Sequence, residues 1–131
     1  MINSNFIYLI LLSLISAVIC LTYGGYRAKN PNFKDPFQYK FGFEDMDGWS
    51  VLHLFQYLLF GFLFPKLFYP AMIIGILWEI SEFYCEYYRP EWLKKYNFTT
   101  DNDDIWWYGK VSDILFNIIG FRIGMYLRGA L

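Results

Sequence analysis

Residues 68 to 88 read FYPAMIIGILWEISEFYCEYY; Phe68 to Trp78 carry no charge, and Glu79, Glu82 and Glu86 follow. A helix this apolar must be shielded from water, while its carboxylates must not be left in an apolar medium. Both demands are met when several such helices bundle in a membrane and turn their polar groups towards one another.

Three further segments share this character. Residues 6–23 form an uncharged run, about 27 Å of helix against a hydrocarbon core of about 30 Å. Residues 51–64 are shorter and contain His53 and Gln56, and residues 111–127 contain Asp113, Asn117 and Arg122. With the stretch at 67–84, these predict an all-α integral membrane bundle of about four transmembrane helices, one domain over 1–131. Composition agrees: 18% of residues are charged and 24% aromatic, against about 25% charged in soluble domains. A net charge of −1 gives no nucleic-acid footprint. Cys20 and Cys85 lack the spacing of a zinc site or disulfide framework.

The first run lacks a basic residue before it and is followed by Arg27, Lys29 and Lys34. That favours a retained anchor over a cleaved signal peptide. Basic residues gather in 27–50 and 85–110, so those loops are expected on the cytoplasmic side and the termini outside. The Asn97-Phe98-Thr99 sequon would then go unused. Trp92, Trp106 and Trp107 fit an interfacial belt.

Pro65 and Pro70 bracket a tight connection around Lys66. His53 lies 13 residues before Lys66 and Glu79 lies 13 after, which predicts equal depth, about 20 Å from the turn. Glu79, Glu82 and Glu86 share one helix face; so do Asp113, Asn117, Gly120 and Gly124. His53, Gln56, Tyr57 and Phe60 form a third stripe. These faces predict one buried pocket near the cytoplasmic interface. Clustered carboxylates repel, so protons, Arg122 or a divalent cation must compensate. An oxygen-rich set suits Ca²⁺, Mg²⁺ or Mn²⁺ better than zinc, and leaves His53 as a general base. The plainer alternative is a structural polar network in which Arg122 neutralises one Glu. Arg122 lies nine residues past Asp113, on the opposite face of its helix.

The order His53, WEISE, DIWWY and SDILFNIIGFRIG resembles the core of base-exchange phosphatidylserine synthases. DGWSVLHLFQY and the D-x-x-x-N-x-x-G pattern from Asp113 are similar to VanZ-like membrane proteins. The resemblance covers about 47–127. Tyr108 stands where the synthases have Asp, and the Asp113–Asn117 spacing follows the VanZ-like pattern. The synthase resemblance implies catalytic roles for His53, Glu79 and Asp113. It implies a Ca²⁺ or Mg²⁺ site on Glu79, Glu82, Asp104 and Asp113, with Asn117 as the polar residue that follows; Gln56, Tyr57 and Arg122 are expected to support the site from their own positions. The implied chemistry is headgroup transfer: His53 takes a hydroxyl proton, and the hydroxyl attacks a lipid phosphorus. The VanZ-like resemblance implies a lipid- or amphiphile-binding accessory or structural protein. Membrane lipids are the expected partners under both, and self-association is left open.

Overall fold

The computed structural model describes residues 3–30, 32–42, 46–96, 98 and 108–130. Among them the chain is all-α: α1 (Ser4–Lys29), α2 (Gly48–Leu63), α3 (Phe68–Tyr88), a short α4 (Glu91–Lys95) and α5 (Val111–Ala130). A single 3₁₀ turn at Pro36–Gln38 lies between α1 and α2.

The helix ends follow local chemistry. Asp47 caps α2, accepting from the N–H groups of Trp49 and Ser50 while Ser50 closes a capping box. The helix therefore starts at Gly48 rather than at the expected residue 51. Pro70 falls in the first turn of α3, where its missing N–H is harmless. That helix runs to Tyr88, past the expected 84, and stops where Arg89 turns left-handed (φ 45°) ahead of Pro90. α1 extends to Lys29, and Arg27 and Lys29 sit in its last turn, where cations favour the helix dipole.

Ser50 meets Asp113 near the start of α2 and α5, and the Phe62 carbonyl accepts from Arg128 near their ends. The two helices therefore run parallel. α3 returns antiparallel after the 64–67 turn, where Leu67 N–H donates to Phe64 O at 2.9 Å. Leu9 of α1 packs with Phe60, Phe64 and Phe121 at one end of the bundle, and Tyr23 packs on Trp49 at the other. Asp35 ties that second end together. It accepts from the Tyr23 hydroxyl at 2.7 Å and Trp49 Nε1 at 3.2 Å, and pairs with Arg27 at 3.1 Å.

Glycines bring α2 and α5 together. A Cβ at Gly120 would strike the Leu54 carbonyl; one at Gly124 would strike the Leu58 carbonyl; one at Gly61 would strike Phe121. This is the close approach that small residues permit between helices. It lets Ser50 reach Asp113 and His53 reach Asn117 across the two helices.

By length and composition, α1 is the one described helix long and apolar enough to cross a membrane. α2 is apolar but 16 residues long. α3 and α5 have 21 and 20 residues, but α3 carries three glutamates and α5 carries Asp113, Arg122 and Arg128. Polar groups join an apolar interior that includes Leu9, Phe60 and Phe121. Asp47, Ser50, Glu79, Asp113 and Asn117 are buried, whereas Leu14, Val18, Ile19, Ile73, Leu77, Ile80, Leu115 and Ile119 face outward.

Gly124→Val should destabilise the fold by about 1–3 kcal/mol or more, because backbone must move to admit the side chain. Gly129, where an added Cβ would meet nothing within 4 Å, should accept Ala with little change. Thermal unfolding followed by circular dichroism separates the two.

Candidate functional site

The site lies at the end of the bundle where α2 and α5 begin. His53 stands in the second turn of α2, and Asp113 and Asn117 lie one turn apart on α5. Glu79 comes up from α3, which runs in the opposite direction. Glu79 is 5% exposed, and Asp113 and Asn117 are 1% exposed.

His53 Nδ1 lies 3.0 Å from Asn117 Oδ1. A carbonyl oxygen accepts only, so Nδ1 carries the hydrogen. The other ring nitrogen, Nε2, then faces Glu79 Oε1 at 3.6 Å and Asp113 Oδ2 at 3.8 Å. One oxygen of each carboxylate is already held by protein. Asp113 Oδ1 accepts from the Ser50 hydroxyl. Glu79 Oε2 accepts from the Lys110 backbone N–H at 2.8 Å. The remaining oxygen, Glu79 Oε1, is buried and has no hydrogen-bond partner among the described residues.

A lone pair and two carboxylate oxygens facing one another repel unless a proton or a cation lies among them. A proton on Nε2 or on a carboxyl is one solution and a metal ion is another. One atom each from His53, Glu79 and Asp113 lie within 4.8 Å of one another, so the three could hold a metal ion. These spacings fit donors around one ion at about 2.0–2.6 Å. The adjoining cavity, about 30 Å³, is lined by Cys20, Trp49, Trp78, Glu82 and Tyr108. It admits a water or an ion, but not an organic substrate.

Two of the groups around the site come from the segment before α5. The Tyr108 hydroxyl donates to Asp47 Oδ2 at 2.6 Å, and Lys110 Nζ reaches Asp47 Oδ1 at 2.6 Å and Asp113 Oδ2 at 3.5 Å. Gly109 lets this segment lie on α3, where a Cβ would meet the Glu79 carbonyl and Phe83 N. Asp47 is buried, which opposes its ionisation. The hydrogen bonds from Lys110 and Tyr108 outweigh this and hold its carboxyl below the ordinary value. Tyr108 shifts upward, through burial and through its bond to that carboxylate.

The structure distributes the expected site residues unevenly. His53, Glu79, Asp113 and Asn117 meet. Glu82 borders the cavity. Tyr57 is buried one turn further along α2, its hydroxyl donating to Ala71 O at 3.1 Å, and Gln56 is half-buried on the same helix. Arg122 is exposed, its guanidinium 4.3 Å over the Phe68 ring, and so does not neutralise the acids. Asp104, Trp106 and Trp107 lie outside the described residues, as do Asn97 and Thr99 of the sequon. Ser50 and the ammonium of Lys110 were not expected here. The signal for Ser50 was its place three residues after Asp47, the spacing of a capping box. Lys110 precedes Asp113 by three residues, the spacing of a helical ion pair.

Comparisons of the chain with protein-family models, curated proteins and solved structures find no match.

Asp47 gives a pH test. Its folded-state pKa is depressed, so its stabilisation is complete above the ordinary value of 3.8 and is lost as pH falls through the lower folded value. Asn caps a helix about as well as Asp. The stability gap between wild type and Asp47→Asn should therefore be full at about pH 5 and shrink below about pH 4. Denaturant midpoints across that range measure it.

Proposed function

We propose that the chain is an integral membrane protein whose His53–Glu79–Asp113 set binds one divalent cation and engages the phosphate of a lipid headgroup. The unpartnered Glu79 oxygen, aimed at His53 Nε2 and Asp113 within a buried site, carries this proposal. Support for the membrane setting comes from the branched apolar side chains that α1, α3 and α5 turn outward while Glu79, Asp113 and Asn117 are buried. The apolar length of α1 adds to it.

In this reading Glu79, Asp113 and His53 Nε2 hold the ion, and Asn117 fixes the ring so that Nε2 points inward. Ser50 and the Lys110 N–H each hold one carboxylate oxygen and leave the other free for the ion. His53 serves as a ligand, in place of the general-base role that the sequence implies. One nitrogen beside two oxygens widens the range of suitable ions from Ca²⁺ and Mg²⁺ to Mn²⁺ and Zn²⁺. A divalent ion here would offset charge on a phosphate oxygen and so favour headgroup hydrolysis or exchange at phosphorus. The small cavity favours a second reading, in which the protein holds the ion without turning over a lipid.

His53 is the chain's one histidine, so ¹⁵N-histidine labelling reports on the site alone. Zn²⁺ added to detergent-purified protein should shift the Nε2 resonance with one ion bound per chain. Glu79→Gln should weaken that binding at least tenfold. Release of headgroup from phosphatidylserine vesicles in Ca²⁺, Mg²⁺ or Mn²⁺ separates enzyme from binding protein. A wild-type Nε2 resonance indifferent to every divalent ion tried rejects the cation site.

A further inference from the structure

Lys110 is the cation already in the site. Its side chain is 9% exposed. Its ammonium lies 2.6 Å from Asp47 Oδ1, 3.4 Å from Ser50 Oγ and 3.5 Å from Asp113 Oδ2. It therefore lies against the same Asp113 oxygen, Oδ2, that His53 Nε2 faces at 3.8 Å. The two oxygens left for an ion are Glu79 Oε1 and Asp113 Oδ2, and Lys110 already shares the second.

We infer that Lys110 is a tethered counter-cation that limits this site to one divalent ion and sets how tightly that ion is held. The inference rests on the cation site proposed above. Sites that take two metals hold them about 3.5–4 Å apart, commonly bridged by a carboxylate. Asp113 touches both sets of groups, His53 and Glu79 and Lys110 and Ser50. The Asp47–Ser50 side, where a second ion would need its ligands, is occupied by the ammonium. An ion on Asp113 Oδ2 feels the nearby positive charge directly, because burial leaves little water to screen it.

The backbone of the same residue acts in the opposite sense. Its N–H holds Glu79 Oε2 and turns Oε1 into the site. Lys110 thus orients one ligand and competes electrostatically for another. Substituting the side chain removes the competition and leaves the backbone bond in place. Asp47 determines where the ammonium rests. Without that carboxylate, the ammonium has Asp113 as its nearest acid and should move towards it.

The test is Zn²⁺ affinity, read from the His53 ¹⁵N resonance in full-length protein, for wild type and three variants. Lys110→Gln should bind at least tenfold more tightly than wild type. Lys110→Arg, which keeps the charge, should return towards the wild-type affinity. Asp47→Asn keeps the α2 cap and should bind at least threefold more weakly. This arm stands on its own if Lys110→Gln does not fold. If wild type binds but Lys110→Gln binds no tighter, or Asp47→Asn no weaker, the counter-cation role is overturned and the cation site stands. If Lys110→Gln alone binds, the cation function of the wild type falls and Lys110 is established as the site's resident cation. If neither wild type nor Lys110→Gln binds, both proposals fall.

Discussion

The near backbone-to-backbone contact of α2 and α5 is the constraint on which the other features depend. Gly61, Gly120 and Gly124 remove the side chains that would hold the helices apart. Parallel helices this close bring residues at matching heights together. Ser50 therefore meets Asp113, and His53 meets Asn117. Helices separated by ordinary side chains, about 8–10 Å axis to axis, would leave such short polar groups less able to reach across.

A second consequence concerns charge. Buried carboxylates are costly unless they are paired or bonded. Asp35 and Asp47 meet this requirement fully: each has a cation and several donors. Asp35 fastens α1, the 3₁₀ turn and Trp49 of α2, and Asp47 fastens α2 and the segment before α5. Glu79 differs from both, because one of its oxygens is held and the other is not. Carboxylates with full sets of partners and one with an unpartnered oxygen thus occupy the same end of one bundle. The partners each one has, rather than its burial, tell them apart.

The exterior explains why composition describes this chain incompletely. A sum over α3 or α5 counts Glu79, Asp113 and Asn117 against the apolar residues, although all three point inward. Outside, those helices show Ile73, Leu77, Ile80, Leu115 and Ile119 beside the exposed Glu86, Arg122 and Arg128. Average hydropathy cannot separate a polar lining from a polar surface. For α1, which has hardly any polar lining, average and surface agree.

Much was legible in the sequence. Apolar runs bounded by Pro, Gly and charge marked four long helices, because helix period and chain breakers act locally. The 13-residue spacings on either side of Lys66 put His53 and Glu79 at one height, since rise per residue is constant. Helical spacing also placed Asp113, Asn117, Gly120 and Gly124 on one face. Tertiary structure decided the rest. It chose α5 as the closest neighbour of α2, left Arg122 outside on Phe68, and folded the Tyr108–Lys110 segment over Asp47 and Glu79. Those outcomes depend on which helix faces touch and on how a loop packs. Both are set by contacts between residues far apart in the chain, and no local rule of spacing or propensity encodes them.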